Sequence, residues 1–174
     1  MLPANPKKLA LFGIFLSLGL VLQAIENIYL PSMFIPGVKI GLANLITLLM
    51  LPFFGFFELG LAVLLRVVLS SFFSGTFLSM AFYFSLSGAT ISFLVMYVLY
   101  KTLHKRLSYA GISLAGALFH NIAQLMVAVL VVGSWAVLIQ LPILILSAIL
   151  TGLFLGIVGN ILSQQLEDII SYEL

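Results

Sequence analysis

A chain of 174 residues that is 63% hydrophobic and only 7% charged, with a mean hydropathy of +1.31, has too few polar side chains to coat a water-soluble globule. It reads as an all-α integral membrane protein: at about 20 apolar residues per span, the length suits five to seven spans in one domain covering residues 1–174. A formal net charge of +2 is too small to point to nucleic acid, and a chain without cysteine has no disulfides, thiolate metal sites or iron–sulfur ligands.

The N-terminus carries Lys7 and Lys8 ahead of an apolar run over residues 9–30. That run is long enough to span and lacks a signal-peptide cleavage site, so it is the first predicted helix. Pro31 and Pro36 bracket a loop, and the second helix is expected over 38–51, stopped by Pro52. It opens as Pro36-Gly37-Val38-Lys39-Ile40-Gly41-Leu42-Ala43-Asn44, with a lysine on its first turn and an amide deeper in. Neither belongs against lipid, and the glycines let a backbone or a ligand come close, so this stretch reads as one wall of a binding site. The third helix is expected over 57–73, the fourth over 77–100 after a turn at Gly75, and the fifth over 110–132. Residues 133–140 form a connection carrying Trp135, and Pro142 suits the start of a sixth helix running to about residue 164.

Six spans place Lys7 and Lys8 on the same side as the loop cluster Lys101, His104, Lys105 and Arg106. The positive-inside rule then predicts a multi-pass protein of the cell membrane with both termini cytoplasmic. Small residues recur at packing spacing in the sixth helix (Gly152, Gly156) and the first (Ala10, Gly13, Ser17). They serve either packing inside the bundle or docking of another membrane subunit.

Counting 1.5 Å per residue from the helix ends puts Arg66 and His120 near the midplane and Gln124 one turn further out. Gln23, Glu26 and Asn27 fall at the outer end of the first helix, while Lys39 and Asn44 descend from the outer end of the second. A mid-helix arginine costs about 2.5–3.5 kcal/mol on insertion scales and requires a partner. His120, Asn121 and Gln124 are spaced to share a helix face. Gln23, Glu26, Asn27, Lys39, Asn44, Arg66, His120, Asn121 and Gln124 are therefore the candidate substrate-binding residues, with a polar network that only joins helices as the competing reading. Lys39 and Arg66 outweigh Glu26, so the expected substrate is a small anionic or amphipathic molecule, with a zwitterion also compatible. Glu58, near the inner end of the third helix, reads as a solvated interfacial charge.

Three strings carry a family resemblance: Pro36 to Leu48 ("PGVKIGLANLITL"), Leu64 to Gly75 ("LLRVVLSSFFSG") and Gly116 to Ala128 ("GALFHNIAQLMVA"). Together they resemble the Gx transporter family over roughly residues 9–165, whose members are often labelled heptaprenyl diphosphate synthase component I. That family is regarded as similar to the substrate-binding S components of energy-coupling factor transporters. The resemblance thus implies a bundle of six transmembrane helices, uptake of a small molecule from the bilayer-embedded site, and partners in an energy-coupling membrane subunit and its ATPases. S components typically meet that subunit through an alanine pair four apart on the first helix; Ala10 is present, but position 14 is Ile14.

The synthase label implies aspartate-rich clusters that hold magnesium against diphosphate. The chain has five acidic residues, and Glu167-Asp168 is the only adjacent pair, so no catalytic residues, cofactor or metal are expected. An alternative reading is a non-catalytic membrane subunit of a quinone- or flavin-linked electron-transfer or polyprenyl diphosphate system. It draws on Ser87-Gly88-Ala89-Thr90-Ile91-Ser92, which resembles a short motif for FMN esterified to threonine, here Thr90. No nucleotide-binding glycine loop is present, so energy for uptake has to come from partners or a gradient.

Overall fold

The computed structural model describes residues 5–29 and 41–171. They form six α-helices, α1 Pro6–Tyr29, α2 Leu42–Met50, α3 Phe56–Phe73, α4 Met80–Leu103, α5 Tyr109–Val132 and α6 Leu141–Ser171, with a 3-10 helix over Trp135–Gln140 before α6. No strand occurs among the described residues. The all-helical membrane architecture expected from composition is thus the one observed. Five of the helices are long and apolar enough to cross a membrane.

The exception is α2. Its nine residues rise only about 14 Å, less than half of a hydrocarbon core of about 30 Å. It starts at Leu42 because Gly41 takes a left-handed conformation (φ 78°), which halts helical geometry on its N-terminal side. Residues 38–40 of the helix expected there lie outside the described residues. Seven of its nine side chains are buried, and it touches each of the other five helices. An apolar helix buried all round is the centre of a bundle rather than a lipid-facing wall. The chain nevertheless returns along α1: the start of α2 is held by Glu26, Phe54 packs on Phe12 and Phe15, and Glu58 reaches Lys8. Residues 41–58 therefore descend from the level of Glu26 to that of Lys8, roughly 27 Å along α1.

Other boundaries shift for local reasons. Helix α4 begins at Met80, three residues later than expected, because Gly75 (φ 65°) and Leu78 (φ 60°) are both left-handed and Ser79 is extended. The 133–140 connection holds the 3-10 helix, entered through left-handed Gly133 and capped by the Ser134 hydroxyl, which accepts from the Ala136 amide. Trp135 on it is 72% exposed, as suits an interfacial ring.

The small-residue seams divide. Gly152 and Gly156 bring the backbone of α6 onto α5, where an added Cβ would lie 2.8 Å from Leu114 Cα and 2.3 Å from Ala110 Cα. On α1 the seam faces outward: nothing lies within 4 Å of a Cβ at Gly13, and the exposed Ser17 hydroxyl donates to the Gly13 carbonyl.

Candidate functional site

The two ends of the bundle differ in what fills them. At the Lys8 end, Lys8 Nζ lies 2.9 and 2.7 Å from the two Glu58 oxygens and 5.4 Å above the Phe54 ring. Glu58 also accepts from the Gly55 amide at 2.8 Å, which caps α3. The carboxylate read from sequence as solvated is instead paired and partly covered. Phe12, Phe15, Phe53 and Phe54 pack edge and face beside it and close this end.

Toward the Glu26 end the helices part around a polar cavity. Gln23 and Glu26 come from α1, Asn44 from α2, Arg66 and Val67 from α3, Ser85 from α4, and His120 and Gln124 from α5. Six of the nine side chains picked out by depth and helix face thus surround one space: Gln23, Glu26, Asn44, Arg66, His120 and Gln124. Its volume is about 30 Å³, room for a water molecule or two but not for a substrate.

Arg66 forms the floor. Its residue is 6% exposed, Nη1 donates to Gln23 Oε1 at 3.3 Å, and buried Nη2 has no hydrogen-bond partner among the described residues. A small, mostly apolar gap lined by Phe15, Ile46, Thr47, Met50 and Leu59 also borders Arg66, and Nη2 makes no hydrogen bond to a described residue there either. A guanidinium has five donors in a fixed fork, and leaving one buried and unmet carries a desolvation penalty. Gln23 is oriented in turn by donating Nε2 to Ser70 Oγ at 2.8 Å.

Glu26 lines the cavity, but its two oxygens accept from the Gly41 and Leu42 amides at 2.7 and 3.1 Å. A carboxylate on the free N–H groups of a helix start is both hydrogen-bonded and favourably placed in the helix dipole. The sequence showed Glu26 as the only acid facing Arg66 and Lys39. The fold commits it to the backbone of α2.

Asn44 Nδ2 and His120 Nδ1 meet at 3.5 Å; with the amide donating, the imidazole proton sits on Nε2. The ring fits because position 88 is glycine, where a Cβ would fall 2.7 Å from His120 Nε2. Asn121 is not brought to the same space. One residue further round α5 is a turn of about 100°, which aims its amide at α6, where it donates to the Leu144 carbonyl at 2.9 Å. It lines a separate cavity of about 20 Å³ behind Asn44 and His120. Lys39 lies outside the described residues, and Asn27 is described only as a position on α1.

Two larger chambers adjoin the cavity, and the sequence reading missed both. One, about 260 Å³, is lined by Gln23, Ser70, Ser71, Ser74, Thr76 and Ser85. The other, about 450 Å³, lies between α4, α5 and the 3-10 helix and is mostly apolar, with Phe84, Leu125, Val132 and Val137 beside Gln124 and Gln140. Ser85 borders all three spaces. The serines escaped notice because hydroxyls on a membrane helix read as packing residues. Their spacing at 70, 71 and 74, one turn beyond Arg66, was the available signal. Thr90 sits in mid-α4, and no group of three His, Asp or Glu that could hold a metal occurs among the described residues.

A family model described as heptaprenyl diphosphate synthase component I matches residues 15–162. No curated protein and no solved structure matches the chain.

Proposed function

Since the chain belongs to the heptaprenyl diphosphate synthase component I family, we propose that it serves as a substrate-binding membrane component for a small anionic molecule and not as the catalyst. The observation that carries this is Arg66, whose buried Nη2 is unmatched, lining a cavity with five other polar side chains and Glu26. An anionic oxygen there completes the hydrogen bonding of a cation whose nearest acid is held by α2. The 450 Å³ chamber, reached past Gln124 and Ser85, suits the apolar body of an amphipathic anion. Prenyl transfer requires acids clustered around diphosphate, and here Glu26 caps α2, Glu58 pairs with Lys8, and Glu167 and Asp168 fall near the end of α6.

The Lys8 end gathers Lys7 and Lys8, and α4, antiparallel to α3, brings Lys101, Lys105 and Arg106 to the same end. By the positive-inside rule that end is cytoplasmic, so the cavity belongs to the outer half of the membrane. The outward Gly13 and Ser17 face of α1 is a place for an energy-coupling membrane subunit to pack.

Mass spectrometry of the small molecule retained by the detergent-purified protein tests the binding role. Wild type is expected to retain an anion that Arg66→Lys loses, because the ammonium keeps the charge but not the planar fork. Equal retention by both proteins removes Arg66 from the site. Cysteine labelling tests the orientation: an impermeant reagent should reach Ser134→Cys in whole cells and Ser108→Cys only after lysis.

A further inference from the structure

The chamber of about 260 Å³ has a wall of hydroxyls whose protons are already assigned by geometry. A backbone carbonyl can only accept, so each serine bonded to one must be the donor. Ser70 donates to Val67 O at 3.2 Å, Ser71 to Val68 O at 2.7 Å and Ser74 to Ser70 O at 2.7 Å. With the Ser74 proton placed, the 3.0 Å contact between Ser74 and Thr76 leaves Thr76 as its donor. Four neighbouring hydroxyls therefore present lone pairs, and two of them already accept one bond each, Ser70 from Gln23 and Ser74 from Thr76. This wall accepts hydrogen bonds and does not give them.

Arg66, one turn below Ser70, has the opposite character: it is a pure donor with Nη2 unmatched. Gln23 ties the two together, bonded to Arg66 through Oε1 and to Ser70 through Nε2. Ser85, which borders both spaces, has no hydrogen bond to a described residue and can turn either way. We infer that the ligand carries neutral hydroxyl groups beside its anionic group, the anion on Arg66 and the hydroxyls donating to the serine wall. This rests on the reading of the Arg66 cavity as a ligand site. No acidic side chain lines the chamber among the described residues, so a neutral donor suits it better than an ammonium, whose burial needs a countercharge. Ser70 already serves Gln23, so Ser71 and Ser74 are the hydroxyls left for the ligand.

Two probes of equal charge and chain length separate the claims: decanoate, and 5-hydroxydecanoate, whose hydroxyl stands four carbons from the carboxyl carbon. Binding to the full-length protein in lipid nanodiscs is measured for wild type, Arg66→Gln and the double variant Ser71→Ala with Ser74→Ala. The wild type is expected to bind 5-hydroxydecanoate roughly five- to tenfold more tightly than decanoate. In the serine variant that preference disappears while decanoate binds as before. Arg66→Gln weakens both. Equal binding of the two probes by a wild type that still depends on Arg66, or a preference that survives in the serine variant, overturns the hydroxyl inference and leaves the anion site standing. Failure of both probes to bind in an Arg66-dependent way overturns the anion site and the inference with it.

Discussion

At the Lys8 end the partly buried Lys8 is paired with Glu58, and four phenylalanines occupy the space between α1 and the α2–α3 turn. At the Glu26 end a buried guanidinium lacks a full set of partners, and chambers of about 260 and 450 Å³ stand beside it. The same six helices make both, so the difference lies in side chains: aromatic rings fill one end, while Ala81, Ala128 and short serines leave the other hollow. A protein interior is ordinarily packed close to crystal density. A hollow, polar half joined to a filled half is the arrangement that the proposed binding role calls for, the first to receive a ligand and the second to keep it from leaking through.

The sharpest way to break this comparison is to replace the unmatched cation. In the ligand-free protein, Arg66→Met combined with Gln23→Leu should raise stability by about 1–4 kcal/mol, since apolar side chains of similar size remove the unmet donor without stranding its Gln23 acceptor. A lower melting temperature in detergent would mean that Arg66 braces the bundle instead. Next in size is Gly156→Ala at the Lys8 end, where a Cβ would press on Ala110 and lower stability by about 1–3 kcal/mol. Its counterpart Ala128→Leu, projecting into the large chamber, should stay within about 0.5 kcal/mol, and an equal loss at both sites would erase the distinction between filled and hollow ends. Glu26→Gln keeps one acceptor for the start of α2 and should cost about 1 kcal/mol, read as faster hydrogen exchange of the first α2 amides. Smallest is Lys8→Ala, expected to cost about 0.2–1 kcal/mol in melting experiments and less as salt is raised.

The parts of this fold that follow local rules were legible. Apolar runs set the long helices, and Gly55, Gly75 and Gly133 lie at or beside the ends of helices because each suits an extended or left-handed residue. Depth counting brought Asn44, Arg66, His120 and Gln124 to one cavity, since rise per residue is constant along a helix. What could not be read was the bonding. Nothing in the spacing says that Glu26 will meet the amides of Gly41 and Leu42, fifteen and sixteen positions on, or that Asn121 will turn to Leu144 O. That the second helix is short for a full span was legible from its length, but its start was not: only the left-handed Gly41 and the acid holding it mark where the helix begins. The serine chamber was missed because an empty volume belongs to three helices and a turn at once and leaves no trace in any one of them.

The glycine contacts between α5 and α6 have a mechanical consequence. With Gly152 and Gly156 seated on the backbone of Leu114 and Ala110, and Asn121 latched to Leu144, these two helices cannot slide past one another without driving main chain into main chain. They form a rigid beam, and α4 is seated on it where Met96 and Ser92 close over Gly116. A cavity of 30 Å³ has to widen before a substrate-sized molecule can enter, and that beam cannot yield. Under the proposed binding role, widening is therefore expected on the side of α1 and α3, against an α2 that the bonds from Glu26 tie to α1.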